Sequence, residues 1–317
     1  MSYSAQVKSE VIHNSTEISR AAFMALLSAV MKVSGALVPL PGGGHGFRIS
    51  TENPRTARFL ATLLKEYVDP AVSVDISRGV TMNKKNLYVL NLDEVRDLKG
   101  LLVETGFLAE REGKLAISDQ VPERYGKDDE LRRSYIKGAF LGSGSIANPE
   151  KQYHMEFVTH TEAYANELSD LLAMYRLKGK VLSRKGSYIV YFKEGEQIVD
   201  ILNVLGAHQA LLETENIRII KDMRNNVNRL VNCETANLSK TVNAAVRQME
   251  AIRHIERTVG LQRLPENLRQ VAELRVEYPD ASLKELGEMM VPPLGKSGIN
   301  HRLRRIETIA EEIEKEG

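Results

Sequence analysis

Leu27-Ser28-Ala29-Val30-Met31-Lys32-Val33-Ser34-Gly35 and Ile136-Lys137-Gly138-Ala139-Phe140-Leu141-Gly142-Ser143-Gly144 are two copies of one pattern. Both mix small residues with apolar bulk, and both end in Ser-Gly. Gly138 and Gly142 lie four apart, on one face of a helix, and Ala25 and Ala29 supply the same face in the first copy. Side chains this small let two helix backbones approach closely. The pattern therefore predicts two helices meeting at a central seam.

The order of elements after each copy repeats as well. After Gly35 come a glycine-rich turn, an extended run Phe47 to Thr51 and a helical stretch Arg55 to Tyr67. Extended runs Val72 to Ser77 and Leu87 to Asn91 follow, then an amphipathic stretch Asp93 to Phe107. After Gly144, His154 to Thr159 alternates like a strand, and Glu162 to Tyr175 has helical spacing at Leu168, Leu171, Leu172 and Tyr175. Lys180 to Ser183 and Ser187 to Phe192 read as strands joined by a turn at Lys185-Gly186, and Glu196 to Leu205 reads as a helix closed by Gly206. Each half is αββαββα, and the two halves predict a pseudo-dimer.

These copies resemble the LAGLIDADG motif of homing endonucleases, in which the seam is the pseudo-dimer axis and the flanking sheets form a saddle for duplex DNA. There the penultimate residue is an acid that binds the catalytic metal; here it is Ser34 in one copy and Ser143 in the other. Magnesium prefers carboxylate oxygens, and two-metal cleavage needs them beside both reacting oxygens. A neutral hydroxyl replaces a carboxylate poorly, and Lys32 adds a repelling charge nearby. Glu156 is the acid that would have to compensate. The expectation is no catalytic residue, no metal and no cofactor, which turns attention from cleavage to binding.

With 317 residues, 43% of them apolar, the chain is long enough for two domains with cores of their own. No run approaches the ~18 apolar residues of a membrane span, and Met1 to Ser19 lacks the apolar stretch of a secretory signal. Cys233 is the single cysteine, which excludes a disulfide framework and a cysteine-based zinc site and suits a reducing cytoplasm. The net charge of +1 says little, because nucleic-acid binding depends on where cations cluster. Pro41-Gly42-Gly43-Gly44-His45 is superficially like a phosphate loop, but no Gly-Lys-Ser/Thr follows it. The histidines show no zinc spacing, and no Ser-His-Asp order stands out.

From Asn216 to Gly260 the chain reads as helical and basic, with Arg218, Lys221, Arg224, Arg229, Lys240, Arg247, Arg253 and Arg257 against four acids. Leu238, Val242, Val246, Met249, Ile252, Ile255 and Val259 form one stripe of a long helix. Arg224, Arg229 and Lys240 are candidate DNA contacts. Asn225, Asn226, Asn228, Asn232 and Asn237 make this segment unusually polar, suited to capping short helices or to meeting phosphates.

The last ~50 residues read as a helix-turn-helix. Asn267 to Glu277 is its first helix, stopped by Tyr278-Pro279-Asp280. Ser282 caps the second with Glu285 completing a capping box, and Leu283, Leu286 and Met289 supply its apolar face. Val291-Pro292-Pro293-Leu294-Gly295-Lys296 breaks the chain, longer than the simplest turn of this motif. Ser297 is expected to cap the next helix, whose core stripe is Ile299, Leu303, Ile306, Ala310 and Ile313. Ser297, Asn300, His301 and Arg304 lie opposite that stripe, with Arg302 and Arg305 on its flanks. This pattern assigns Asn300, His301 and Arg304 to base edges and Lys296, Arg302 and Arg305 to phosphates. Lys284 joins the DNA-binding set. Beyond Arg305 the helix turns acidic with Glu307, Glu311, Glu312 and Glu314.

Taken together these features resemble the WhiA family of Gram-positive regulators associated with sporulation and cell division, over essentially the whole chain. The most diagnostic stretches are Asn228-Arg229 through Asn232-Cys233-Glu234-Thr235-Ala236-Asn237, then Ala281-Ser282-Leu283-Lys284-Glu285-Leu286-Gly287. Lys296-Ser297-Gly298-Ile299-Asn300-His301-Arg302-Leu303-Arg304 completes them. The resemblance implies an inactive homing-endonuclease-like domain joined to a helix-turn-helix similar to the promoter-reading region of sigma factors. It further implies a cytoplasmic, nucleoid-associated protein that affects cell division and chromosome segregation, and sporulation in spore formers.

The expected architecture is α+β: a duplicated αββαββα pseudo-dimer over 1–210 (repeats about 20–107 and 130–206), a basic helical linker over 211–264, and an all-α helix-turn-helix over 265–317. The expected function is a DNA-binding regulator that acts as a transcription factor, with double-stranded DNA, and RNA polymerase or another regulator, as partners. Two alternatives stand beside it: a protein-interaction scaffold on the nucleoid, and a residual metal-dependent endonuclease.

Overall fold

The computed structural model describes residues 2–41, 43–77 and 86–316, and the chain divides into two compact units, Met1–Lys221 and Asp222–Gly317. Gly42 of the glycine-rich loop lies outside the described residues.

The first unit opens on α1 (Tyr3–His13). The first repeat follows as α2 (Arg20–Ser34), β1 (Gly35–Pro39), β2 (His45–Thr51), α3 (Pro54–Tyr67), β3 (Ser73–Ser77), β4 (Leu87–Asn91) and α4 (Leu98–Glu104). A hairpin, β5 (Leu108–Arg111) and β6 (Lys114–Ile117), and the short α5 (Glu123–Lys127) lead to the second repeat. That repeat is α6 (Asp129–Ser143), β7 (Gly144–Ile146), β8 (Met155–Thr159), α7 (Glu162–Ala173), β9 (Lys180–Arg184), β10 (Ser187–Phe192) and α8 (Gly195–Leu205). The sheets have equivalent antiparallel orders, β1-β2-β4-β3 and β7-β8-β10-β9. The αββαββα duplication is therefore present in both halves.

Local chemistry explains the boundaries. Asn53 accepts from the amides of Arg55 and Thr56 ahead of α3, and Thr161 accepts from Tyr164 ahead of α7. Lys185 and Gly186 both have positive φ, 52° and 79°, as a two-residue turn between twisted strands requires. Gly206 ends α8 at φ 72°, and the Ala207 amide closes back on the Leu202 carbonyl at 2.9 Å. The stretch 93–107 is helical only from Leu98, because Asp97 caps it by accepting from the Gly100 amide. Between Gly35 and the expected glycine-rich turn the chain forms strand β1, paired with β2 from Gly35↔Ile49 to Pro39↔His45.

The seam between α2 and α6 is the centre of this unit. Ala25, Ala29, Leu26, Val30 and Ala139 are fully buried there. A Cβ on Gly138 would lie 2.1 Å from the Leu26 carbonyl oxygen, and one on Gly142 would lie 2.4 Å from Val33 Cγ2. Ser28 Oγ, buried in α2, donates to the Thr105 carbonyl, and Lys32 Nζ donates to the carbonyls of Gly106 (3.0 Å) and Ser118. Both motif helices run straight into strands at Gly35 and Gly144, whose absent side chains make room for Phe47 and Phe140.

Helix α1 buries Val7 and Val11 against this core. Its Lys8 Nζ donates to the Leu141 carbonyl at 3.1 Å and lies 5.6 Å from the Phe140 ring centroid. Burial lowers the Lys8 pKa from 10.5 to about 8.

The second unit contains the greater part of α9 (His208–Thr258), a 3₁₀ turn at Leu261–Arg263, α10 (Glu266–Glu277), α11 (Leu283–Met289) and α12 (Lys296–Glu316). Its core joins Ile252 and Ile255 of α9 to Leu268, Val271 and Ala272 of α10, Leu286 and Met290, and Ile299, Leu303 and Ile306 of α12. Among the described residues no helix is long and apolar enough to cross a membrane.

Two stability measurements test this packing. Gly138→Val should cost about 3 kcal/mol or more, because its clash is with backbone rather than a movable side chain. Gly186→Ala, with nothing within 4 Å of the new Cβ, carries only the strain of its positive φ and should cost far less. Urea unfolding of both variants separates them. Lys8 has an inverted pH signature. Below about 8 the folded chain bears the full cost of a buried charge, and between about 8 and 10.5 it sheds its proton before the unfolded chain does, so stability rises with pH. Lys8→Met should gain about 1–2 kcal/mol at pH 7, and the gain should shrink by pH 10.

Candidate nucleic-acid interface

The C-terminal helices are arranged by a small number of directed contacts. Ser282 Oγ accepts from the Glu285 amide while the Glu285 carboxylate accepts from the Ser282 amide at 2.7 Å, completing the capping box. Those bonds hold the Glu285 carboxyl below its ordinary pKa. Gly287 lets the following loop close in, since a Cβ there would lie 2.1 Å from the Leu294 carbonyl oxygen. The Leu294 amide donates to the Gly287 carbonyl at 2.9 Å. Met290 is buried and Met289 is 43% exposed, so the apolar face of α11 is Leu286 with Met290 rather than Met289.

Arg275 organises the turn before α11, and the sequence reading missed it. Only 2% exposed, it donates through Nη1 to the carbonyls of Pro279 (3.2 Å) and Ala281 (2.7 Å). Burial lowers its pKa. Nothing in its spacing separates it from the solvated arginines of neighbouring helices.

Helix α12 starts at Lys296, and the Ile299 amide donates to the Gly295 carbonyl at 3.2 Å. Gly295 therefore stands at the cap and Ser297 in the first turn, which corrects the expected cap at Ser297. Ile299, Leu303, Ile306 and Ala310 are buried against the core. Ser297, His301 and Arg304 are exposed and Asn300 half-buried, so this set shares the outward face. Lys296 and Lys284 are exposed beside it, Lys284 within 3.7 Å of Glu288. Arg305 is exposed, 4.0 Å from Glu312. Arg302 is placed differently: half-buried, its Nη1 donates to the Asn267 carbonyl at 3.1 Å and ties α12 to α10.

Along α9 every residue from Asp222 to Asn243 is exposed, including Arg224, Arg229 and Lys240. The asparagines lie inside this continuous helix and cap nothing; Asn237 Nδ2 donates to Cys233 Sγ at 3.8 Å. The expected apolar stripe is buried only at Ile252 and Ile255, while Leu238, Val242 and Val246 are 66%, 50% and 49% exposed. Earlier in the helix, Arg218 pairs with Glu215 and Lys221 donates to the Pro149 carbonyl at 2.7 Å.

In the first unit, several polar side chains on the sheet strands already have partners. Arg48 lies 3.3 Å from Asp93, and Asn91 donates to Asp75 at 2.8 Å. Glu156 accepts from Ser145 at 3.2 Å and lies 3.1 Å from His154 Nε2. At the motif-helix ends, Ser143 Oγ turns back to the Ala139 carbonyl, His160 Nε2 meets the Val33 carbonyl at 3.1 Å, and Lys8 meets that of Leu141. A neutral hydroxyl, an imidazole and an ammonium on the helix carbonyls do not fit a divalent metal, which needs hard anionic oxygens. Among the described residues no group of three His, Cys, Asp or Glu could hold a metal ion.

Comparison with known proteins matches three stretches of the chain to domains of one family. Residues 20–108 match the family described as WhiA N-terminal LAGLIDADG-like domain, 132–224 the WhiA LAGLIDADG-like domain, and 227–310 the WhiA C-terminal HTH domain. The chain is 57% identical over 317 residues to a protein of Clostridium novyi (strain NT) named "Probable cell division protein WhiA", covering 100% of both. It is 55% identical over 315 residues to the protein of that name from Clostridium botulinum (strain Hall), covering 99% of both. Among solved structures, full-length DUF199/WhiA from Thermatoga maritima is similar with a TM-score of 0.59 at 26% identity, covering 98% of this chain and 99% of that one. With all three domain profiles matched and full-length relatives above half identity, the chain belongs to the WhiA family.

Proposed function

We propose that this chain is a DNA-binding regulator of cell division that acts as a transcription factor, with α12 as its reading helix and no nuclease activity. The observation that carries the reading is the two-faced α12: an apolar side locked into the core and an outward side of Ser297, Asn300, His301 and Arg304. Amide and guanidinium groups match the donor and acceptor edges of bases in the major groove, and a helix anchored along one side presents them at fixed spacing. Asn300, His301 and Arg304 would contact bases, and Lys284, Lys296 and Arg305 would hold phosphates. Arg302 would reach a phosphate only by releasing the Asn267 carbonyl, so its first role is to set the α12–α10 angle. Arg224, Arg229 and Lys240 extend the basic surface.

The division of labour follows the expected domains: a LAGLIDADG-like body over 1–210, a basic helical segment over 211–264 and a reading module over 265–317. The relatives' name supports the cell-division role; a cytoplasmic, nucleoid-associated location and contact with RNA polymerase or another regulator complete the proposal. Absence of cleavage rests on Ser34 and Ser143 and on the carbonyl-bound cations beside them. The paired charges of the saddle favour a second reading, a protein-interaction scaffold, for that surface.

Fluorescence anisotropy across a salt series tests the reading. Wild-type binding should weaken with a log–log slope of about −4 to −5 if about five phosphates are neutralised. Arg304→Ala should lose about 1–3 kcal/mol on promoter fragments and discriminate less from random DNA. Unchanged affinity would move recognition off α12. Magnesium- or manganese-dependent nicking of plasmid, abolished by Glu156→Gln, would overturn the non-nuclease assignment.

A further inference from the structure

Within the second unit, the exposed part of the α9 stripe forms one wall of a cavity of about 840 Å³. Leu238, Val242, Val246 and Met249 give this wall an aliphatic surface, and Leu283 faces it from α11. No aromatic side chain lines it, so a planar base or ring has nothing to stack on. Four cations, Lys240, Arg253, Lys284 and Lys296, border it against two acids, Glu250 and Asp280. Gln248 and Arg275 also line it, 4% and 2% exposed, and Gln248 Oε1 and Arg275 Nε are buried without a hydrogen-bond partner. The cavity size suits a small organic ligand. An aliphatic wall with a cationic border selects a molecule with an alkyl body and one anionic head.

We propose that this groove binds a free medium-chain fatty-acid carboxylate, and that its occupancy competes with DNA. Competition follows from geometry, because Lys284, Lys296 and Asn300 line the groove and also belong to the DNA-contacting set. That coupling rests on the function proposed above; ligand binding itself does not. The head group would draw on the lysines that otherwise meet phosphate. The alkyl body would cover side chains that now face water. A regulator built this way would release DNA when such carboxylates accumulate.

The test is isothermal titration of the full chain with octanoate, decanoate and laurate below their micellar concentrations. Saturable one-to-one binding is expected, strengthening about fourfold for each added methylene that is buried. Dodecyltrimethylammonium, with the same tail and the opposite head, should not bind. Val242→Gln and Val246→Gln lie on a solvated helix surface and should fold, checked by circular dichroism. Each should weaken laurate at least tenfold and leave DNA affinity without laurate unchanged. Saturating laurate should raise the half-saturating concentration for promoter DNA at least threefold in the wild type and leave both variants unmoved.

The proposal is overturned if laurate does not bind saturably, if the variants bind it like the wild type, or if the cationic amphiphile binds equally well. Binding to phosphatidylglycerol vesicles without binding of monomeric laurate would mark a lipid-surface contact and overturn it too. Laurate binding with DNA affinity unaltered would remove the competition. Failure of the wild type to bind DNA before any ligand is added would count against the proposed function alone, since the titration is read separately.

Discussion

The close approach of α2 and α6 sets the geometry of the first unit, and it depends on what is missing from two side chains. At Gly138 the neighbouring helix presents a backbone carbonyl where a Cβ would be, at 2.1 Å. Backbone cannot rotate aside, so any larger residue must separate the helices. Each helix leads directly into a strand, β1 or β7, and each strand is hydrogen-bonded to the rest of its sheet. Separation at the seam would therefore tilt both sheets. The small residues of the repeated pattern are a condition on packing, whatever chemistry once accompanied them.

The same seam shows what surrounds Ser34 and Ser143. A helix C-terminus carries partial negative charge on its free carbonyls, and cations are favoured there. The Lys8 ammonium, from α1, occupies the Leu141 carbonyl at one of these ends, and the His160 ring, from the turn after β8, meets the Val33 carbonyl at the other. Lys32, with its pKa lowered to about 8 by burial and partly restored by Asp119 and Glu167, crosses to the hairpin between the repeats. An ammonium makes up to three short hydrogen bonds and cannot polarise a phosphate as a divalent ion does. Around Ser34 and Ser143, these side chains tie the motif helices to α1, to the hairpin between the repeats and to the turn after β8.

Much of this was legible in the residues. Alternating patterns located β4, β8 and β10 to within a residue, and Ser282 with Glu285 marked the start of α11. These features are local, and short-range chemistry decides them. The misses are contacts with long sequence separation. α1 was unseen because its core contribution is only Val7 and Val11, and its Glu10 carboxylate caps α9 by accepting from the Gln209 and Ala210 amides, 199 and 200 residues away. Met290 replaced Met289 because the loop closing over Gly287 turns the last residues of α11. At the candidate interface the sequence named the outward residues but read Arg302 as free, and only tertiary packing brings the Asn267 carbonyl to it.

α9 shows why periodicity alone can mislead. Its apolar positions recur at helical spacing well beyond the part that packs. Burial requires a facing surface, and only the turns near Ile252 and Ile255 have one. An exposed helix this long gains little from its own hydrogen bonds, since most helical stability in proteins comes from a packed face. Leu238, Val242 and Val246 remain on that helix at a standing cost in apolar exposure. Away from these side chains the helix carries Arg229, Asn226 and Asn237 with Asp222 at the start of that face, while Lys240 reaches the border of the groove. One helix thus keeps apolar and cationic side chains in water together, and a ligand with an apolar body and an anionic head would relieve both.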